Sequence, residues 1–202
     1  MASPANIDMK NLVGQWTMNK SESDAFDPVL TLQGISWFIR KAVETATLTQ
    51  YLRQSTVDGS DGAPTTLIEI DQVLTGGLKG SPENRTLDWT YREHTDFIFG
   101  VIRGRSRYST LQKFQQESKE TGATDEDIKY MTEGWLEETQ QGDILESFMS
   151  SAAGKWISWN VWGFAESGGE RKLIKKFTVR KIDTGAVVRV KMVYDYLGPL
   201  QK

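Results

Sequence analysis

The chain contains no cysteine and a single histidine, His94. Without cysteine it has no disulfide framework, no thiol nucleophile and no thiolate metal ligand. One histidine also excludes the multi-histidine sites that bind zinc or copper, so only a carboxylate site for a hard cation remains open. The sequence has no Ser-His-Asp order and no glycine-rich phosphate or dinucleotide motif. We therefore expect no metal and no cofactor, and the catalytic residues stay unknown at this point.

Long apolar runs and excess basic charge are missing as well. No segment approaches the roughly 18 consecutive apolar residues that a membrane span requires, and the stretch MASPANIDMK has no apolar h-region. The net charge is −3, whereas non-specific nucleic-acid binding needs a basic surface that displaces counterions. We expect a cytoplasmic protein with no membrane span and no nucleic-acid partner.

The length of the chain is sufficient for one buried core. With 202 residues, of which 38% are hydrophobic and 25% charged, it has the composition of a soluble globular domain. Residues 1–202 are therefore expected to form a single domain. Seven tryptophans are the compositional outlier, and a functional hypothesis has to account for them.

Residues 11–46 predict a first strand followed by a helical lid. Residues 12–18 are rich in strand-forming side chains. Pro28 suits the first turn of a helix, and apolar residues then recur at mostly helical spacing as far as Val43. Gly34 predicts a break between two short helices. Helices with aromatic side chains on nearly every face need a large apolar partner, so we expect the pair to cover the open mouth of a β-barrel.

The remaining regular segments are predicted to be strands separated by glycine-rich turns, and strands do not alternate with helices as in βαβ units. They are residues 45–54, 65–75, 85–93, 97–108, 156–164, 171–181 and 186–197. This order predicts a mainly β fold, a single antiparallel up-and-down β-barrel of about eight to ten strands. Residues 155–197 supply its closing strands.

Residues 109–154 differ from the rest because they contain most of the acidic clusters. Thr124 followed by Asp127 predicts a helix N-terminus, and Ile128, Met131 and Trp135 follow at helical spacing. We interpret the segment as a helical acidic insertion that lies on the barrel. For residues 115–123 the alternative is a partly disordered surface loop.

Three residue patterns resemble the calycin superfamily, specifically its intracellular fatty-acid-binding-protein branch with a lipocalin-like barrel. Gly14-Gln15-Trp16 is similar to the opening Gly-x-Trp of that family. Residues 32–35 with 40–42 are similar to the Leu-Gly-Val and Arg-Lys of its helical lid, and residues 193–196 resemble its closing strand. The resemblance covers roughly residues 11–110 and 155–197, so the acidic segment is a departure from it.

A second departure concerns the ligand. The family resemblance implies an Arg-x-Tyr pair on the last strand that binds a carboxylate, but Met192 precedes Tyr194 by two residues here. The chain also looks like small fungal lipocalin-like proteins of secondary-metabolite pathways, through stretches such as DPVLTLQGISWFIRKA and RTLDWTYREH. That resemblance implies a pericyclase, including the hetero-Diels–Alder type.

Alternation along the strands and the position of the lid select the candidate substrate-binding residues. Aromatic and apolar side chains on inward faces favour a flat, ring-containing ligand, although each one taken singly could equally be core. The few polar side chains directed inward would fix the ligand, with Gln50 and Tyr51 as alternatives on one strand. The candidates are Trp37, Phe38, Tyr51, Gln72, Trp89, Tyr91, Phe99, Asn160, Trp162, Lys175, Met192 and Tyr194. His94 is expected in a hairpin turn, and strand arginines such as Arg85 outside the barrel.

Two functions follow from a barrel with such a lining. The first is an enzyme that binds a hydrophobic, ring-containing small molecule and steers a cofactor-free cyclisation or cycloaddition. Such a reaction needs no catalytic motif, because holding the reacting fragments together can supply ~7 to 11 kcal/mol. The second is an intracellular carrier that releases a lipophilic ligand unchanged. A partner-binding module that uses the acidic segment is weaker, because it leaves the aromatic lining unexplained. The protein would act as a monomer or homodimer.

Overall fold

The computed structural model describes residues 1–76 and 78–200, and its dominant element is one antiparallel sheet. The strands are β1 (Gly14–Met18), β2 (Leu48–Asp58), β3 (Pro64–Leu74), β4 (Leu78–Lys79), β5 (Glu83–Thr86), β6 (Arg92–Asp96), β7 (Gly100–Ser109), β8 (Ile144–Ser151), β9 (Trp156–Ser167), β10 (Glu170–Lys181) and β11 (Val187–Gly198). Strands β1 to β4 and strands β6 to β11 each pair with the next strand of the chain, β5 pairs with β3, and β1 lies between β2 and β11. The predicted up-and-down barrel is confirmed.

The barrel is nearly closed by the segment that follows β5. β5 pairs with β3, and the Leu87 amide donates to the Thr66 carbonyl of that strand at 2.8 Å. Two residues later the Trp89 amide donates to the Ser106 carbonyl of β7 at 3.0 Å. One short segment therefore connects the two sheet edges.

Among the described residues, five α-helices complete the fold: α1 (Asp27–Leu32), α2 (Trp37–Thr45), α3 (Leu111–Glu117), α4 (Asp125–Thr132) and α5 (Glu137–Gln141). α1 and α2 form the predicted lid, joined by an ion pair of 3.0 Å between Asp27 and Arg40. α1 buries Val29 and Leu30, whereas no residue of α2 is buried. No helix in the described part of the chain is long and apolar enough to cross a membrane.

The acidic segment packs on the outside of the barrel, and its helices end earlier than predicted. Phe114, Met131 and Trp135 bury their side chains against outward-facing residues of β9 to β11, among them Trp159. Residues 115–123, for which a disordered loop was the alternative, form the end of α3 and a 3-10 helix. Residues 144–151 do not belong to the helical insertion, because they form strand β8 between β7 and β9.

The segment around residues 85–99 also differs from the prediction. Residues 85–93 are not one strand, since β5 ends at Thr86 and Trp89 has a positive φ of 58°. The predicted turn at His94 lies inside β6. The chain turns after Asp96 instead, because its carboxylate accepts hydrogen bonds from the amides of Ile98 and Phe99 at 2.7 and 3.0 Å.

Candidate functional site

A cavity of about 490 Å³ lies inside the barrel under the lid. The helices contribute Val29 and Leu30 from α1 and Arg40 and Val43 from α2. The strands contribute the rest of the wall through their inward-facing residues. The opposite end of the barrel is solid, because a cluster that includes Trp16, Leu52, Ile70 and Leu173 fills it.

On β10 and β2 one polar residue of the inward face lies between the solid end and the cavity. On β10 Leu173 belongs to the solid core, Lys175 comes next on the same face, and Phe177 and Val179 then line the cavity. On β2 the same sequence is Leu52, Gln50 and Leu48. We call this level the polar layer; it comprises Gln50, Arg85, Ser147, Asn160 and Lys175, all of which are buried.

Lys175 belongs to the polar layer and lines the cavity, and its amine forms no ion pair with a carboxylate of the described residues. Its Nζ donates to Gln50 Oε1 at 2.6 Å and lies 3.6 Å from the centroid of the Trp162 ring and 4.4 Å from that of Tyr194. Burial, and then the nearby charge of Arg85, lower the pKa of the Lys175 amine well below its usual value, while Glu83 opposes this.

Arg85 also lies beside Trp162, with its guanidinium carbon at 5.0 Å from the ring centroid. Its guanidinium forms an ion pair with Glu83 and donates to Ser147 Oγ at 2.6 Å. Three atoms of the neighbourhood are buried without a hydrogen-bond partner among the described residues. They are Arg85 Nε, Asn160 Oδ1 and Trp162 Nε1.

The part of the cavity beyond the polar layer is apolar. Val29, Ile102, Trp156, Val179 and Val190 form one buried cluster there, against which Phe26, Phe99 and Phe177 pack. The wall thus joins an apolar surface to a small set of polar groups. Pockets that bind small organic molecules commonly have this composition.

Comparison with known proteins gives full-length relatives. The pericyclase pydY of Acremonium sp is 28% identical over 199 residues, which cover 98% of both chains. The probable pericyclase scpY of Mollisia scopiformis is 28% identical over 198 residues, covering 98% of this chain and 96% of the relative. No family model matches the sequence.

Solved structures share the fold at low identity. The fluorescent protein UnaG superimposes with a TM-score of 0.52 and 16% identity, covering 91% of this chain and 96% of that chain. A fatty-acid-binding protein from Drosophila melanogaster brain tissue gives a TM-score of 0.51 and 13% identity, covering 91% and 98%. The chain is a calycin-like barrel, similar over its full length to fungal pericyclases. The resemblance inferred from the residues is confirmed.

The calycin-like barrel places about half of the candidate residues in the cavity wall. These are Gln72, Phe99, Trp162, Lys175, Met192 and Tyr194. Asn160 lies on the same inward face of β9, fully buried between Ser158 and Trp162 in the polar layer. Their role in binding a ligand stays a prediction.

The other candidates lie outside the cavity wall. Trp37 and Phe38 are 56% and 80% exposed, because α2 turns its aromatic side chains away from the barrel. Tyr51 faces outward, since its neighbours Gln50 and Leu52 take the buried face of β2. Trp89 and Tyr91 stack on arginines of β7, with Arg105 at 4.2 and 4.6 Å from their ring centroids. The left-handed backbone at Trp89 interrupts the alternation from which their inward orientation was predicted.

Several wall residues were not selected from the sequence. His94 lines the cavity although a turn was expected there, and Arg85 points inward although strand arginines were expected outside. Trp156, Phe177 and Phe26 were also missed. For Arg85 the available signal was Glu83, an acidic residue two positions earlier on the same strand face, which can neutralise a buried guanidinium.

Proposed function

We propose that this protein is a pericyclase that binds a hydrophobic, ring-containing precursor in the barrel and steers a cofactor-free cycloaddition. The observation that carries the proposal is the full-length similarity to two fungal proteins named pericyclase and probable pericyclase. The cavity of about 490 Å³ supports it, because the space suffices for a small organic molecule of polyketide or terpenoid size.

In this proposal the two parts of the cavity have different tasks. The polar layer holds an oxygen-bearing end of the substrate, while Val29, Ile102 and Phe177 surround the hydrocarbon part. A chain held at one end and confined on the other sides has few conformations left. Placing the two reacting fragments in contact can supply ~7 to 11 kcal/mol of the barrier.

The reaction type we propose is a hetero-Diels–Alder cycloaddition. A conjugated C=C–C=O fragment adds to an alkene. One C–C and one C–O σ bond form while the π bonds of the C=C, the C=O and the alkene are consumed, a new C=C forms in the ring, and no atom leaves. The carbonyl oxygen becomes the ether oxygen of the product ring. Neither an oxidant nor a co-reactant is required, in keeping with the absence of cofactor motifs from the sequence.

We further propose that residues 1–202 act as one domain in the cytoplasm, as a monomer or homodimer and with no nucleic-acid partner. The net charge of −3 supports the last point. The continuous sheet from β1 to β11 supports the first.

A synthetic linear ketone that carries an enone and a tethered alkene tests the proposal. We expect the protein to accelerate its cyclisation and to change the ratio of stereoisomers relative to buffer, measured by chiral chromatography. Ile102→Trp fills the apolar part of the cavity and should abolish both effects. Val101→Trp is the matched control, because Val101 is 42% exposed. Binding without any change in rate or ratio would make the protein a carrier instead.

A further inference from the structure

The charges around the polar layer do not balance. Arg85 has Glu83 as its counter-ion. The Nζ of Lys175 contacts only the neutral amide oxygen of Gln50 among its hydrogen-bond acceptors in the described residues, and no carboxylate of these residues forms an ion pair with it. A protonated Lys175 therefore adds one positive charge that the described side chains leave uncompensated.

Hydrogen-bond donors are also left over at the same place. A lysine ammonium has three N–H groups, of which one is used by Gln50. Trp162 Nε1 and Arg85 Nε are buried donors without a partner. Lys175 and Arg85 both contact the ring of Trp162, at 3.6 and 5.0 Å from its centroid. Excess donors and excess positive charge thus coincide in one part of the wall.

We propose that the ligand of this cavity carries a carboxylate or an equally acidic oxygen group, which binds as an anion at Lys175, beside Trp162. The hydrocarbon part then extends towards α1 and β7, where the wall is apolar. The inference rests on the proposed function in one respect, namely that the cavity is the binding site. It adds the class of the ligand and its direction in the barrel.

An anion at this position can accept hydrogen bonds from the donors that the described residues leave unpartnered, Arg85 Nε and Trp162 Nε1, although the acceptor Asn160 Oδ1 needs a donor instead. Burial, and then the charge of Arg85, lower the pKa of Lys175, and no described carboxylate forms an ion pair with it. A bound anion supplies that counter-ion, so the ammonium form is favoured in the complex. Charge-assisted hydrogen bonds of this kind are about twice as strong as neutral ones, so an acid should bind more tightly than its ester.

Anthracene-9-carboxylate and its methyl ester form a matched pair of probes, because they differ only in the charge of the oxygen group. Quenching of tryptophan fluorescence reports their binding to the full-length protein. We expect the acid to bind about tenfold more tightly than the ester. In Lys175→Met the affinity for the acid should fall about tenfold while that for the ester stays unchanged. Lys191→Met, on the outward face of β11, should alter neither affinity.

Each outcome decides the inference. Equal affinities of acid and ester in the wild-type protein would overturn it and leave the cavity as a binding site for neutral molecules. An equal loss of both affinities in Lys175→Met would show a role in packing and would also overturn it. If neither probe binds, the cavity itself fails as a binding site, and with it the proposed function. The comparison of acid and ester in the wild-type protein does not depend on the stability of Lys175→Met. Circular dichroism checks that this variant is folded.

Discussion

Lys175 and Lys176 are neighbours on β10, and their amines lie on opposite sides of the barrel wall. The Nζ of Lys175 faces Gln50 inside the barrel. The Nζ of Lys176 lies outside and donates to the carbonyls of Tyr130 and Glu133 at 2.9 and 2.5 Å. Because α4 ends at Thr132, these carbonyls belong to the end of a helix, where a positive charge is favourable. Lys175 thus lines the cavity, whereas Lys176 binds the end of α4 and holds the acidic segment against the barrel.

Lys176→Met should destabilise the protein. The change removes two hydrogen bonds from a charged donor to part-buried carbonyls, and each such bond contributes about 1.5 to 3 kcal/mol. We therefore expect the free energy of unfolding in urea to fall by about 2 kcal/mol or more. Lys191→Met, which faces the same side of the sheet on β11, is the control and should change it by less than about 0.5 kcal/mol. Equal values for the two variants would contradict the proposed attachment of α4.

Replacing Lys175 and Gln50 together should have the opposite effect. Lys175→Met combined with Gln50→Leu removes a buried amine and its acceptor at once, so no polar atom of the pair is left unsatisfied. We expect the free energy of unfolding of the double variant at pH 7 to exceed that of the wild type by about 1 to 3 kcal/mol. The double variant should therefore also unfold at a higher temperature. It should also lose binding of the acidic probe.

The pH dependence of this difference follows from the lowered pKa of Lys175. Above that pKa the folded protein holds a neutral amine, whereas the unfolded chain keeps the proton up to about pH 10.4. The unfolded state therefore binds more protons, and wild-type stability rises with pH by up to about 1.4 kcal/mol per pH unit. Thermal unfolding measured at pH 7 and at pH 9 should show that the difference in stability between the wild type and the double variant is smaller at pH 9. A gap that does not change with pH would mean that the amine titrates normally.

The sequence predicted the barrel because most strands have one polar face. On β11 the outward positions carry Arg189 and Lys191, so the inward face with Val190 and Met192 could be recognised. β9 has no such contrast. Its inner face lines the cavity and its outer face is covered by the acidic segment, so almost every residue from Trp156 to Ala165 is buried. Periodicity cannot orient a strand that is buried on both sides.

The candidate site was harder to predict than the fold, because its residues depend on local backbone detail. A one-residue change of phase moves a side chain to the other face. Trp89 was misplaced by its left-handed backbone, and His94 by a turn that comes two residues later than expected. The burial of Arg85 follows from Glu83 and Ser147, and Ser147 lies far away in the sequence. Such partners become visible only when the strands are placed side by side.

Asp127 should prove essential for attaching the acidic segment. Its side chain is 1% exposed, forms an ion pair with Arg180, and accepts a hydrogen bond from Arg189 at 2.7 Å. It also accepts from the amide of Thr124 at 2.9 Å, which completes the capping box of α4. Asp127→Asn leaves Arg180 without its counter-ion and Arg189 with only the exposed Glu126 at 3.1 Å, so we expect a loss of about 3 to 5 kcal/mol in unfolding experiments at pH 7.

Acid should remove the advantage of the wild-type residue. Burial alone would raise the pKa of Asp127, but the hydrogen bonds from Thr124 and Arg189 and the charge of Arg180 lower it overall. A lowered pKa means that this stabilisation is present above the unfolded value of about 3.9 and is lost as the pH falls through the folded value. Wild type and Asp127→Asn should therefore converge in stability below about pH 3.9. A difference that persists undiminished at pH 2 would argue against the ion pairs as its source.

Trp89 allows a test of the backbone that closes the barrel. Its φ of 58° lies in the left-handed region, which costs an L-residue roughly 1 to 2 kcal/mol. Arg105 and Arg107 contact its ring, at 4.2 and 4.0 Å from the centroid, and both Trp89→Gly and Trp89→Ala remove that ring. The two variants differ only in the Cβ methyl group, which disfavours a left-handed backbone. We therefore expect the glycine variant to be the more stable by about 0.5 to 1 kcal/mol in urea.

Tyr91 provides the matched comparison for that pair of variants. Its ring also stacks on arginines, at 4.5 Å from Arg103 and 4.6 Å from Arg105, but its φ is not positive. Glycine loses more freedom on folding than alanine, so Tyr91→Ala should be more stable than Tyr91→Gly by about 0.5 to 1 kcal/mol. The order of the alanine and glycine variants should thus invert between the two positions. If the alanine variant is the more stable at both positions, residue 89 does not have a left-handed backbone in solution. The side chains from Leu87 to Tyr91 would then alternate between the two faces of a regular strand.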